Sequence, residues 1–318
     1  MAEPIALFVA RRRPDWDALQ SLLGRQKSGG LKLEELRQLD RLYRVAAADL
    51  AHAQAHYAGS DAHRFLNGLC TTAYGAIYQA PKDRLTAIRR FYAEGFPQAL
   101  REARRHVLAS GALFVLGLLL GAAVVLLEPT GAALLVPQTL RDYVARGELW
   151  TDDFFSFTPP GLASTHIATN NISVTVAAFA LGLTAGLGTV FILLNNGVHI
   201  GSVFALCARE GMGLRLLDFI GAHGFVELSI IVIAGGAGLL LGHALVDPGE
   251  LPRGQALRKN GQLAVRLVVG CAPFLFAIGF VEGYVSPAPF PTWTKVLLGF
   301  ALGATFWAYL LRAGRRTA

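Results

Sequence analysis

Between Val107 and Leu127 the chain carries neither a charged residue nor a proline. A helix of that length crosses about 30 Å of hydrocarbon. In lipid the backbone must satisfy its own hydrogen bonds, which leaves a helix or a closed barrel as the only spanning form. Phe96-Pro97 opens the approach to this segment, with proline at a first-turn position that helices tolerate. Arg101, Arg104, Arg105 and His106 stand directly before it. Lysine and arginine concentrate on the cytoplasmic side of a membrane, so this span is expected to run from inside to outside and to leave the N-terminal part in the cytoplasm.

Composition agrees with a membrane protein. Of 318 residues 53% are hydrophobic and 16% are charged, against about 25% charged in a soluble domain. The net charge of +7 sits beside apolar segments, which suits anionic lipid at one face of the bilayer. No nucleic-acid-binding module is visible, so no nucleic-acid partner is expected. Met1 to Trp16 lacks an apolar core ahead of Arg11-Arg12-Arg13, and no cleavable signal is expected. Cys70, Cys207 and Cys271 have no paired spacing, so neither a disulfide nor a zinc site is expected.

Residues 1–105 read as a cytoplasmic helical domain ending in a basic interfacial helix. Leu36, Leu39, Tyr43, Ala46, Leu50, Ala53 and Tyr57 recur at steps of three and four, one stripe of a helix. Gly59-Ser60-Asp61 breaks the chain and can cap the next helix. That helix carries Phe65, Leu66, Leu69, Ala73, Tyr74 and Ile77, with Gly68 and Gly75 expected to admit a close neighbour. A third helix is expected from Asp83 to Gly95.

Residues 106–318 read as a transmembrane helical bundle with an outer loop at 128–169. The spans expected after Val107–Leu127 are Ile172–Leu194, capped by Asn170-Asn171, then Phe219–Gly242, Leu267–Val281 and Trp293–Leu311. Asn195-Asn196-Gly197 interrupts an apolar stretch, and Asn and Gly favour turns. Gly197–Ala208 is therefore either a short crossing or a re-entrant piece, giving six spans or five. The basic loop around Arg258 and Lys259 and the C-terminal Arg315 and Arg316 are cytoplasmic only with six. The predicted fold is all-α: a polytopic helical membrane protein with about six segments, one of them short or re-entrant. Glycines four apart recur in the spans, at Gly117/Gly121, Gly182/Gly186, Gly238/Gly242, Gly279/Gly283 and Gly299/Gly303. Small residues let helices approach closely in lipid, either within one chain or between copies in a homo-oligomer.

The chemistry concentrates between Asn195 and Gly242. His223 and Glu227 are four apart, on one helical face. An intramembrane ionisable residue is a functional candidate by default. The candidate polar cluster is Asn195, Asn196, Gly197, His199, His223, Gly224 and Glu227. It reads either as polar packing between helices or as a proton, ion or headgroup site. No HExxH pair, GxSxG turn or P-loop is present. The spacing of His199, His223 and Glu227 is not diagnostic of a metal. No catalytic residue, metal or cofactor is therefore expected, and the chain reads as a non-enzyme.

Several of these stretches resemble the stage II sporulation protein M family of bacterial membrane proteins. They are Asn170-Asn171 with the glycine-rich span after it, Asn195-Asn196-Gly197 with Gly201, and His223-Gly224-x-x-Glu227 continued by Ile233 to Gly238. Leu42-Tyr43-Arg44 with Asp49-Leu50 and the Phe96-Pro97 entry belong to the same resemblance. Ala222 stands where the family often has proline before the His-Gly pair. The resemblance implies a multi-pass protein of the bacterial cytoplasmic (inner) membrane that is not an enzyme. It implies a membrane scaffold or assembly role of the kind the family plays in septal cell-envelope remodelling. Its partners would be other membrane or cell-envelope proteins: peptidoglycan-remodelling enzymes, or MoxR-type ATPases and von Willebrand A-domain proteins. The competing expectation is a transporter or channel in which the helix break at Asn195 faces the His/Glu pair.

Overall fold

The computed structural model describes residues 3–29, 31–78, 84–128, 130–152 and 160–315. Every regular element among them is helical, and the chain divides into two compact units, Met1–Ala87 and Ile88–Ala318. The amphipathic stretch after Ile88 thus groups with the second unit, ahead of the border expected at 105.

The first unit is built from α1 (Ile5–Gly29), α2 (Leu33–His56) and α3 (Asp61–Tyr78). Phe8, Trp16, Leu19 and Leu23 of α1 meet Leu39, Leu42, Ala46 and Ala53 of α2 and Leu66, Leu69 and Ala73 of α3 in one core. Of the stripe read from sequence, Leu39, Ala46 and Ala53 are buried and Tyr43, Leu50 and Tyr57 partly so, while Leu36 is exposed; Leu42 and Asp49 complete the buried face of α2. A carboxylate enters this core. Asp49 accepts hydrogen bonds from Arg12 Nε at 2.9 Å and from Trp16 Nε1 at 2.8 Å. At the start of α2, the Lys32 N–H donates to Glu35 Oε2 at 2.8 Å, which closes a helix terminus that would otherwise leave a free donor. Gly68 and Gly75 do not admit a neighbour: a Cβ at either would meet nothing within 4 Å.

The border falls within α4 (Arg84–Arg90), which continues through a π-helical turn at Phe91–Gly95 into α5 (Phe96–Glu102) of the second unit. Gly95 therefore does not end a helix; it has ordinary helical angles. Next come α6 (Arg104–Leu127), the short α7 (Gly131–Leu135) and α8 (Gln138–Ala145), and α9 (Pro160–Ala180), which ends in a 3-10 turn at Leu181–Leu183. The rest is α10 (Leu187–Arg209), α11 (Gly213–Ile220), α12 (Gly224–Val246), α13 (Arg253–Tyr284) and α14 (Thr292–Arg312). Five of these, α6, α10, α12, α13 and α14, are long and apolar enough to cross a membrane, and Thr169–Leu183 is a shorter apolar helix. The outward side chains of α6, among them Leu108, Val115, Leu119 and Leu126, are exposed and aliphatic, as a lipid-facing surface requires.

The boundaries around the second and third passes differ from those read in the sequence. The helix is continuous through Asn195-Asn196-Gly197. The reversal lies earlier, at Thr184–Gly186, where Ala185 and Gly186 adopt φ of 55° and 84°. The short apolar segment is thus Thr169–Leu183, and Gly197–Ala208 is the second half of a full span. Asn170 and Asn171 lie inside α9 and do not cap it. The physical reason is local. Asn196 Nδ2 returns a hydrogen bond to the Ile192 carbonyl at 2.9 Å, and Gly197 packs against the backbone of α6, so neither residue needs a turn.

Glycine contacts set the helix order. A Cβ at Gly117 or Gly121 would overlap the Leu194 or Val198 carbonyl, and one at Gly201 would overlap the Leu118 carbonyl. Helices α6 and α10 therefore run in the same direction with their backbones nearly touching, as small residues permit in lipid. Gly182 meets Gly238, and Gly186 meets Gly242. Gly299 meets Gly221 and Gly303 meets the Phe225 ring, so α14 runs with α12. Helix α12 is the most buried of the long spans and touches α6, α9, α10, α13 and α14.

The contacts also sort the bundle ends. His106 and His243 sit together at one end, and there Arg101 donates to the Ala313 carbonyl at 2.8 Å. At the other end Arg209 donates to the Val125 carbonyl at 3.2 Å, and Lys295 reaches Asp218. The start of α6 and the end of α14 share an end, so the chain runs an even number of times between the bundle ends: six, counting α9, of which five helices are long and apolar enough to cross a membrane.

Candidate functional site

The polar node lies at the bundle end that holds α11. Helix α11 closes with Gly221 N–H donating to the Leu217 carbonyl at 2.8 Å. A turn follows, and His223 is the N-cap of α12. The sequence reading put His223 inside the span; it stands at the mouth, with Glu227 in the first turn. Val296 and Gly299 of α14 press against Gly221, and this contact holds the turn from the opposite side.

From α13 comes Glu282, and just beyond it Ser286. His223 Nδ1 and Ser286 Oγ are 2.9 Å apart. His223 Nε2 lies 3.5 Å from Glu282 Oε1 and 3.9 Å from Glu227 Oε2. The ligand atoms of these three residues all fall within 4.8 Å of one another. Both His223 and Glu282 are 4% exposed, and Glu282 Oε2 has no hydrogen-bond partner among the described residues.

A second set of charges borders this one. Lys295 of α14 is 2% exposed. Its Nζ donates to Asp218 Oδ2 and to the Ser286 carbonyl, each at 2.8 Å. Thr292 Oγ1 donates to the other Asp218 oxygen at 2.8 Å. The buried ammonium is thus balanced by Asp218 and not by the two glutamates, as a charge held away from water demands a partner.

Two cavities flank the node. One, of about 420 Å³, is mostly apolar and is lined by His199, His223, Gly224 and Glu227 with Phe204 and Phe300. The other, of about 530 Å³, is polar and is lined by Thr151, Asp152, Arg215, Asp218 and Ser286. His223 thus faces one space and its partner Ser286 the other.

Of the residues singled out in the sequence, His199, His223, Gly224 and Glu227 share the apolar cavity. Asn195, Asn196 and Gly197 do not line it. Asn195 is exposed, Asn196 bonds its own helix and Gly197 packs on α6. The sequence reading missed Glu282, Ser286 and Lys295. Glu282 had been assigned to the loop after a span ending at Val281, whereas α13 runs to Tyr284. A carboxylate within one turn of an apolar helix end was the available signal.

No curated protein and no solved structure matches the chain. Residues 6–79, the three helices of the first unit, match a family described as a domain of unknown function (DUF8413). Residues 110–287 match the model for stage II sporulation protein M. That range takes in α6 to α13, the glycine contacts between them, and His223, Glu227, Glu282 and Ser286. It covers more than half of the sequence, and the chain belongs to the stage II sporulation protein M family.

Proposed function

We propose that this protein is a non-enzymatic scaffold of the bacterial cytoplasmic membrane. In this reading a membrane-fixed bundle presents the separately folded helical domain to cell-envelope partners. The observation that carries the reading is the division of the chain into two compact units, the first with a complete core of its own. A bundle whose helices touch backbone to backbone suits a fixed anchor. The partners are membrane or cell-envelope proteins, with peptidoglycan-remodelling enzymes or a MoxR-type ATPase with von Willebrand A-domain proteins as the classes to test. Arg101 precedes α6, Arg104 and Arg105 open it, Arg253 and Arg258 lie at the start of α13, and Arg312 closes α14, all at the His106 end. The positive-inside rule assigns that end, and the N-terminal domain, to the cytoplasm. If the domain docks partners, residues 1–87 overproduced as a soluble fragment compete with the full chain and displace those partners from the membrane fraction. Unchanged membrane recovery of the partners would count against docking.

A second reading, transport, rests on the cavity lined by His199, His223 and Glu227. It loses the broken helix, since α10 is continuous. It requires a flux in liposomes that Glu227→Gln abolishes; the scaffold reading requires none from either protein.

A further inference from the structure

We propose that His223, Glu227 and Glu282 bind one divalent transition-metal ion of the zinc class. The proposal does not depend on the scaffold reading. It departs from the sequence expectation of no metal because the sequence did not bring Glu282 to His223.

The first argument is distance. Ligand atoms each about 2.1 Å from a common ion lie about 3.0–3.4 Å apart in octahedral or tetrahedral arrays. The His223–Glu282 separation of 3.5 Å and the His223–Glu227 separation of 3.9 Å come close to this. They are also too long for hydrogen bonds between the same atoms. The three side chains converge without satisfying one another.

The second argument is the unpaired oxygen. Glu282 Oε2 is buried without a partner among the described residues, a cost that folded proteins rarely leave standing. Lys295 does not supply that partner: its Nζ donates to Asp218 and to the Ser286 carbonyl. Burial penalises the ionised form of two neighbouring carboxylates, and a divalent ion bound between them would balance their charge.

The third argument is the orientation of the imidazole. Ser286 Oγ sits at Nδ1, and an Nδ1–H donated to it leaves the Nε2 lone pair facing the carboxylates. A partner on the far ring nitrogen is the usual support for a ligating histidine. One imidazole with two carboxylates favours zinc, manganese or iron over calcium or magnesium, which take oxygen ligands alone. His223 and Glu227 also line the apolar cavity, so a fourth position is open to water or to an anionic group. The ion ties the start of α12 to the end of α13.

The test uses the full chain purified in detergent through a tag without histidines. The protein is stripped with chelator, reloaded with zinc or cobalt, and desalted. The proposal predicts about one zinc ion per chain, a zinc-dependent rise in melting temperature, and cobalt absorption bands of an ordered site. Glu282→Gln and His223→Ala lower zinc retention about tenfold or more, and Ser286→Ala weakens it about tenfold through the imidazole's orientation. If the variants fail to fold, the cobalt spectrum and zinc-dependent melting of the wild type decide. A reloaded wild type that keeps no zinc above the stripped level would overturn the proposal and leave protons as the occupants. Zinc retained equally by a folded Glu282→Gln protein would also overturn it, placing the ion elsewhere, for instance at His106 and His243.

Discussion

Lys295 Nζ donates to the Ser286 carbonyl at 2.8 Å, and the hydroxyl of the same serine meets His223 Nδ1 at 2.9 Å. Ser286, just past the end of α13, thus joins the first turn of α14 to the mouth of α12. Replacing Lys295 by Met removes the donor and leaves Asp218 and the Ser286 carbonyl without their shared partner. The expected cost is about 2 kcal/mol, reduced from that of a fully buried pair because Asp218 is partly exposed. Thermal unfolding in detergent followed by intrinsic fluorescence reads it. A melting temperature equal to wild type would show that the lysine does not hold this end.

Glycine contacts give a sharper contrast. Gly238 faces the Ala178 carbonyl and Thr189, and a Cβ there overlaps backbone. Gly238→Val should destabilise the bundle by about 3 kcal/mol or prevent its folding, since backbone cannot yield as a flexible side chain can. Gly75→Ala in α3 meets open space and should stabilise the first unit by about 0.5–1 kcal/mol. The same melting assay on both variants checks the pair, and equal effects would refute the helix order described here.

The first unit can be tested as a soluble fragment, residues 1–87. Asp49→Ala strips the partner from the Trp16 indole N–H inside the core and leaves the part-buried Arg12 with Asp15 alone of its two carboxylates. A loss of about 3 kcal/mol in urea unfolding is expected. An effect below about 0.5 kcal/mol, the scale of a surface substitution, would place the carboxylate outside the core.

Glu35 provides a pH dependence in the same fragment. The Lys32 N–H bonded to its carboxylate, aided by the Arg25 guanidinium, lowers its pKa from the usual 4.5. A carboxylate with a lowered folded pKa contributes stability that is present above its unfolded pKa and lost as pH falls through the folded one. The fragment should therefore lose stability below about pH 4.5, and Glu35→Gln should flatten that part of the profile. Identical acid profiles for the two proteins would remove Glu35 from the explanation.

Six passes make a labelling prediction. In a chain with Cys70, Cys207 and Cys271 replaced, single cysteines at Glu148 and Phe290 should react with an impermeant reagent from outside the cell. Cysteines at Glu250 and Arg315 should not. A reporter fused after Ala318 that works only outside would reverse this assignment.

The features that sequence revealed are those whose cause is local. Val107–Leu127 is uncharged throughout and could only be a span, and the steps from Leu39 to Ala53 mark the buried face of α2. The turn was misplaced because lipid changes what turn residues do. Asn196 satisfies its amide on its own helix and Gly197 meets α6, while the reversal at Ala185 and Gly186 is hidden in an apolar run. The polar node was half legible. His223 and Glu227 lie four apart in sequence, but Glu282 joins them only through the antiparallel packing of α12 and α13, which no local pattern encodes. Lys295 was hidden for the same reason, its partners lying on α11 and on the loop after α13.

The scaffold reading is tested most directly by co-purification from native membranes, with the full chain compared against a chain lacking residues 1–87. The account predicts that the shortened protein remains monodisperse in the membrane and recovers its cell-envelope partners about tenfold less well or worse. Equal recovery of the same partners by both proteins would contradict it.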